Sequence, residues 1–68
     1  MSDLSIIIGQ LIRNERQKKK ISQEYLALKC GIDRSYMGRI ERGEVNVTVE
    51  KVYIIASILE IDVKTLLP

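Results

Sequence analysis

The fold is decided by residues 22–43, which read SQEYLALKCGIDRSYMGRIERG. We expect two short helices on either side of Gly31, because glycine readily adopts positive φ where a helix must stop. Asp33 can cap the amides that open the second helix. That second helix carries three arginines, Arg34, Arg39 and Arg42. A basic helix projecting from such a turn fits the DNA major groove, so the stretch predicts a helix-turn-helix that reads DNA.

The length and composition indicate a single domain over residues 1–68, because a chain of 68 residues buries only about 60% of the surface that it exposes when unfolded. Cys30 is the only cysteine and there is no histidine, so neither a disulfide framework nor the usual zinc-ligand spacing can be assembled. No apolar run approaches the roughly 20 residues of a membrane span, and no signal-peptide pattern opens the chain. We expect a cytoplasmic protein with no metal, no cofactor and no membrane partner.

The charges are distributed unevenly along the chain. Residues 1–43 carry nine Lys or Arg against five Asp or Glu, whereas residues 44–68 carry two against four. A basic front and an acidic back suit a protein that turns one face to phosphates. The lysines at positions 18–20 either contribute to that face or form a solvated loop, and both interpretations remain open.

Apolar periodicity and capping residues predict five helices. Leu4, Ile7, Ile8, Leu11 and Ile12 follow the spacing of one helix face, which predicts helix 1 over about 4–18. The remaining helices are expected to be capped by Ser22, Asp33, Thr48 and Asp62, with inward positions at Leu26, Ala27, Cys30, Val52, Ile55, Ala56 and Leu59. Helix 3 is expected to end at Gly43, and a short fifth helix to run through Leu67. The fold class is therefore all-α, a compact five-helix bundle.

Helix 3, over residues 33–42, has two faces when it is drawn at about 100° per residue. Met37, Ile40 and Glu41 lie on the packing side, and Tyr36 lies at the border. The opposite arc holds Arg34, Ser35, Gly38, Arg39 and Arg42. Arginine suits a reading face because its guanidinium can donate twice to guanine and can also bind phosphates.

Gly38 is unexpected inside a helix, where glycine costs about 1 kcal/mol relative to alanine. One explanation is that the backbone at this position approaches a base or a sugar closely. The other is a neutral surface position, and the sequence does not choose between them.

A family resemblance is carried by Gln23-Glu24-x-Leu26-Ala27, Gly31-Ile32 and Ile40-Glu41-Arg42-Gly43. These residues resemble the phage repressor and Cro (XRE-type) helix-turn-helix family over nearly the whole chain. Asp33-Arg34-Ser35-Tyr36-Met37 and Asn46-Val47-Thr48 are most similar to the controller proteins of restriction-modification systems. The resemblance implies the lambda-repressor-like DNA-binding domain.

The resemblance also implies roles for single residues. Gln23 would hold a phosphate, Arg42 and Asn46 would grip the DNA backbone on the far side, and base edges would be met by Arg34, Ser35 and Arg39. Tyr36 would lie at the DNA surface, whereas the helical wheel alone places it at the rim of the core. Lys20 and Glu60 stand where the family usually has glycine, so either can be expected at positive φ.

Arg16 and Glu41 resemble a partly buried ion pair that many relatives contain. Such a pair would be structural, since removing one partner leaves the other charge buried alone. Two independent surface charges are the alternative.

Helix 4 has more apolar residues than one buried stripe requires. A second edge and the C-terminus supply a candidate dimer interface made of Ile54, Ile58, Ile61, Val63, Leu66 and Leu67. A two-fold dimer through this patch would place two copies of helix 3 about 34 Å apart, one turn of DNA. Alternatively, the fifth helix folds back and covers these side chains within one chain.

An enzyme is not expected, because the chain has no histidine, no suitably paired carboxylates and no glycine-rich phosphate loop. The sequence predicts a transcriptional regulator that binds a palindromic operator in double-stranded DNA as a homodimer. We expect no small-molecule effector, and regulation through the protein's own concentration, with control of its own promoter. The alternative is a protein-binding module on the same fold, such as a toxin-neutralising antitoxin, whose binding would respond weakly to salt.

Overall fold

A computed structural model describes residues 3–68, which form helices and no strands. The elements are α1 (Asp3–Lys18), α2 (Gln23–Cys30), α3 (Arg34–Glu41), α4 (Val49–Leu59) and a C-terminal 3₁₀ turn (Val63–Leu66). The all-α prediction is confirmed, but the fifth helix is not an α-helix. Its four residues are too few to nucleate one, and the amides bond three residues back instead, as Thr65 does to Asp62 at 2.9 Å.

The caps that begin the helices are formed as the sequence predicts. Each capping side chain accepts a hydrogen bond from the amide three residues further on: Ser22 from Tyr25 at 3.0 Å, Asp33 from Tyr36 at 3.0 Å and Thr48 from Lys51 at 3.1 Å. Because each cap satisfies an amide that has no partner inside its helix, the starts of α2, α3 and α4 are fixed locally.

The core lies where α1, the α2–α3 pair and α4 meet, and the 3₁₀ turn closes it. Every helix contributes side chains that are almost completely buried, the largest being Ile12, Leu26, Met37, Ile40, Ile55, Leu59 and Leu66. Full burial of one such side chain is worth about 1.5–3 kcal/mol. Because α3 packs against both α2 and α1, the core determines how α3 projects.

Leu66 corrects the predicted dimer interface. It is 0% exposed, because the 3₁₀ turn folds back and inserts this side chain into the core. A side chain with no exposed surface cannot meet a partner, so the prediction for Leu66 was wrong. The rest of the patch stays at the surface: Leu67 is exposed, and the half-buried members are Ile54, Ile58, Ile61 and Val63.

Gly9 allows α1 and α3 to approach closely, which the sequence reading did not anticipate. A Cβ at this position would lie 2.3 Å from the carbonyl oxygen of Ile40 and 2.8 Å from that of Glu41. Both atoms belong to the backbone, so neither can yield. Only glycine permits the C-terminal end of α3 to rest on α1 at this distance.

The ion pair between Arg16 and Glu41 is formed across the interface of α1 and α3. Arg16 Nε lies 2.7 Å from Glu41 Oε2, and Arg16 Nη2 lies 3.0 Å from Glu41 Oε1. Arg16 Nη1 also donates to the carbonyl of Ile21 at 2.9 Å, and Gln23 Nε2 donates to Glu41 Oε1 at 3.0 Å. The pair therefore connects α1, the turn before α2, the start of α2 and the end of α3.

Lys20 and Glu60 adopt left-handed backbone conformations, with φ of 59° and 58°. The expectation drawn from the missing glycines is thus met at both positions. Each conformation costs a non-glycine residue about 1–2 kcal/mol, and the packing of the helices on either side must offset that cost.

Replacing Arg16 by methionine should lower the free energy of unfolding by about 3–5 kcal/mol, because the buried carboxylate of Glu41 loses its charged partner. Urea denaturation followed by circular dichroism measures this change. The double variant Arg16→Met/Glu41→Met should lose clearly less than the sum of the two single losses. Lys18→Met is the matched control, since Lys18 pairs with Glu15 at 3.1 Å on the surface and its loss should cost under about 0.5 kcal/mol. Additive losses at Arg16 and Glu41 would contradict the coupling.

Candidate nucleic-acid interface

The turn between α2 and α3 determines the direction of α3. Gly31 has φ of 73°, and the next amide, that of Ile32, donates to the carbonyl of Ala27 at 3.0 Å. This pattern ends α2 within one residue. Asp33 then begins α3 and accepts hydrogen bonds from Ser35 Oγ at 2.6 Å and from the Tyr36 amide. Those bonds, the one from the Ser35 hydroxyl foremost, hold the pKa of the Asp33 carboxyl below its ordinary value.

The two faces of α3 are separated as the helical wheel predicts. Met37, Ile40 and Glu41 are buried against α1 and α2. The exposed side presents Arg34, Ser35, Tyr36, Arg39 and Arg42. Tyr36 is only 36% exposed, which agrees with its border position on the wheel. Its contact with DNA remains a prediction.

Gly38 corrects the sequence interpretation, since it is not an open position on the reading face. It is buried, and a Cβ there would lie 3.0 Å from Arg42 Nη1 and 3.5 Å from Gln23 Oε1. The side chains of Arg42 and Gln23 therefore lie across α3 at this residue. The missing Cβ makes room for two predicted DNA contacts, so a neutral surface position does not describe Gly38, and the close approach of its backbone to DNA stays a prediction.

Gln23 and Asn46 are both held by hydrogen bonds within the protein. The side-chain amide of Gln23 donates to Glu41, which holds it against the C-terminal end of α3. Asn46 Oδ1 accepts a hydrogen bond from the hydroxyl of Ser5, a buried residue of α1. Neither bond could be foreseen from the sequence, because each joins residues distant in the chain. The predicted phosphate contacts of both residues stay predictions.

Glu44 is a residue of this face that the sequence reading missed. Its Oε2 lies 2.6 Å from Arg42 Nε, and its Oε1 lies 3.9 Å from Arg39 Nε. The hydrogen bond to Arg42 holds the pKa of Glu44 below its usual range and raises the pKa of Arg42. The sequence offered one signal for this ion pair, which is that Glu44 follows Arg42 by only two residues.

Residues 3–68 also bear on metal binding, on the reactivity of the cysteine and on membrane spans. Across residues 3–68, histidine, cysteine, aspartate and glutamate do not cluster in a way that could hold a metal ion. Cys30 is buried, and burial raises the pKa of its thiol, so a thiolate nucleophile is disfavoured. In the same part of the chain, no helix is long and apolar enough to cross a membrane. The exposed side of α3 presents arginines, whose guanidinium groups can donate to phosphates and to base edges.

Comparison with known proteins gives a consistent result. Residues 12–66 match the helix-turn-helix family. Control protein C.SmaI of Serratia marcescens is 38% identical over 65 residues, which is 96% of this chain and 77% of that protein. The crystal structure of the restriction-modification controller protein C.AhdI from Aeromonas hydrophila superposes with a TM-score of 0.87 at 40% identity, covering 91% of this chain and 90% of that one.

A structure of SinR, described as the master regulator for biofilm formation, in complex with DNA is also similar. It superposes with a TM-score of 0.79 at 35% identity and covers 87% of this chain and 95% of that one. SinR of Bacillus subtilis is itself classed as an HTH-type transcriptional regulator.

Replacing Gly38 by alanine should stabilise the protein and weaken its binding to a duplex. Alanine is favoured over glycine inside a helix by about 1 kcal/mol, and the nearest atoms are the mobile ends of Arg42 and Gln23. The same displacement should disturb a phosphate contact. Thermal denaturation and fluorescence anisotropy with a labelled random-sequence duplex measure the two effects.

The matched control is Gly31→Ala, which has open space around its Cβ but a φ of 73°. That variant should be destabilised by about 1–2 kcal/mol. A loss of stability at Gly38→Ala would show that the side chains covering this residue cannot yield.

Proposed function

This chain belongs to the helix-turn-helix family, and from that premise we propose that it binds a palindromic operator as a homodimer and reads the major groove with α3. It is a DNA-binding transcriptional regulator, like the relatives to which it is similar. The observation that carries the proposal is the exposed arginine face of α3, held in one orientation by the Gly31 turn and by the Arg16–Glu41 pair.

The exposed residues divide by their place on the helix. Arg34 and Ser35 lie in the first turn of α3 and Arg39 lies one turn later, so we assign these three to base edges. Gln23, Arg42 and Asn46 lie around that strip and are assigned to phosphates, which position the protein without reading sequence. Tyr36 is assigned to the DNA surface beside them.

The chemistry of this face favours DNA over a protein partner. A protein-binding surface is usually built on aromatic and aliphatic anchors, whereas this surface offers three guanidinium groups. Binding through several phosphates weakens steeply as salt rises. Salt dependence therefore separates a DNA reader from a toxin-neutralising module.

The homodimer would form through the apolar patch on α4 and the C-terminal turn, now defined as Ile54, Ile58, Ile61, Val63 and Leu67. Four of these residues are half-buried and Leu67 is 42% exposed, so each retains surface that a partner could cover. A single reading helix gives few contacts, and two linked copies add theirs. Half-sites about 10 base pairs apart would match two copies of α3 on one side of the DNA.

The relatives named as control proteins suggest the biological setting. We assign this chain a controller role in which it regulates its own promoter as its concentration rises. Dimerisation and operator occupancy would then be coupled. A restriction endonuclease or methyltransferase gene beside its own gene would support this setting, and a toxin gene there would contradict it.

The base-reading assignment predicts a different result for each class of arginine. Arg34→Ala and Arg39→Ala should each cost about 1–3 kcal/mol on the operator and relax preference at particular base pairs. Arg42→Ala and Gln23→Ala should weaken binding on all sequences alike, because phosphates carry no sequence information. Selection from a random duplex library followed by titration measures both quantities. Lys64→Ala, an exposed cation on the C-terminal turn, is the matched control and should keep the base preference.

The dimer assignment is tested at the exposed member of the patch. Leu67→Asp should yield a folded monomer that no longer binds two half-sites cooperatively, since a charge in an apolar interface is costly to bury. Ile58→Asp should act in the same direction and also lower stability, because Ile58 packs partly against the core. Sedimentation velocity and circular dichroism report the two properties.

Leu28→Asp supplies the control for that experiment. Leu28 is 73% exposed on α2, outside the patch, so its substitution should leave the oligomeric state unchanged. A dimeric Leu67→Asp protein with undiminished cooperativity would overturn the proposed interface.

A further inference from the structure

The carboxylate of Glu44 lies between two arginines that are assigned to DNA. It is 2.6 Å from Arg42 Nε and 3.9 Å from Arg39 Nε, and its side chain is 40% exposed. Arg39 and Arg42 are 53% and 58% exposed. In the free protein, the anion that pairs with these two arginines is therefore the carboxylate of Glu44.

The backbone places Glu44 there. Gly43 has φ of 74°, its amide donates to Ile40 O at 3.0 Å, and the amide of Glu44 donates to Arg39 O at 2.9 Å. These bonds turn the chain back over the last turn of α3. A Cβ on Gly43 would lie 2.6 Å from Ile6 Cα, so the turn is packed tightly against α1. Glu44 is therefore fixed beside Arg39 and Arg42 by the fold.

Stability does not explain a carboxylate at this place. Exposed ion pairs contribute little to folding, because water screens the attraction between the charges. Glu44 also follows the C-terminal end of α3, where the partial negative charge of the helix disfavours an anion. The arrangement instead affects what the two arginines can bind, because any DNA phosphate that approaches them meets this charge.

We propose that Glu44 acts as an internal substitute for a DNA phosphate, which competes for Arg42 and so sets the protein concentration at which DNA is occupied. The inference rests on the proposed function, in which Arg42 contacts a phosphate. Displacing the carboxylate from Arg42 is the same step on every sequence, so Glu44 lowers affinity uniformly and leaves base preference unchanged. For a regulator that responds to its own concentration, such a uniform loss of affinity raises the protein concentration at which the response begins.

The variant Glu44→Gln tests this role, because glutamine keeps the size of the side chain and removes the charge. Its affinity for a labelled random-sequence duplex of about 30 base pairs should rise about three- to fivefold at low salt. The plot of log affinity against log salt should become steeper by about 0.9 for each bound protomer, as expected for one more neutralised phosphate per chain. Fluorescence anisotropy over a series of potassium chloride concentrations gives both values.

Two further variants identify the cause. Glu60→Gln makes the same change of charge at the end of α4, away from α3, and should alter affinity by less than about twofold. Adding Arg42→Ala to Glu44→Gln should remove most of the gain, because the carboxylate acts through this arginine. Sedimentation velocity on each variant shows that the oligomeric state is unchanged.

The outcomes separate the two proposals. Salt-dependent binding by the parent protein, weakened in Arg42→Ala but unchanged in Glu44→Gln, would overturn the role of Glu44 and leave the proposed function intact. A change of base preference in Glu44→Gln, measured by selection from the random library, would also overturn it, since Glu44 would then be orienting Arg39. Absence of salt-dependent binding by the parent protein would overturn both.

Discussion

The arrangement of this molecule depends on one buried carboxylate. The side chain of Glu41 is only 2% exposed, and it accepts hydrogen bonds from two nitrogens of Arg16 and from the amide of Gln23. A buried charge is costly unless all of its acceptor sites are occupied, so α1 and the start of α2 must stand where their donors reach it. Gly9 permits the close approach of α1 to the end of α3, because it has no Cβ to collide with the backbone carbonyls of Ile40 and Glu41. Satisfying Glu41 thus adds to the core and the Gly31 turn by fixing where the C-terminal end of α3 lies against α1 and α2.

Glu44 shows how differently a carboxylate behaves three residues further on. Water surrounds its pair with Arg42, so the attraction between the charges is weak and can be exchanged for another anion at little cost. Glu41 cannot be exchanged in this way, because it lies in a medium of low dielectric constant. The same ionic chemistry therefore fixes the inner side of α3 and leaves its outer side free to exchange partners, and burial alone makes the difference.

The sequence predicted those features of the fold and of the site that local chemistry determines. The caps at Ser22, Asp33 and Thr48 and the left-handed turn at Gly31 depend on neighbours within a few residues, and all four are confirmed. The division of α3 into a buried and an exposed face follows from helical periodicity. The features that the sequence did not predict depend on contacts that periodicity leaves open: Leu66 enters the core because the last turn folds back, and the side chains of Gln23 and Arg42 lie over Gly38. Periodicity does not specify what lies opposite a residue.

The position of Leu66 also bears on how folding and the proposed association are related. The monomer closes its own core with this side chain, so the buried core does not depend on a second copy. A partner would cover only Leu67 and side chains that are already half-buried, which separates association from folding. A regulator built in this way could respond to concentration through its association equilibrium while each chain stays folded, because diluting the dimer would release folded monomers. The 3₁₀ turn is therefore part of the core through Leu66 and part of the proposed interface through Val63.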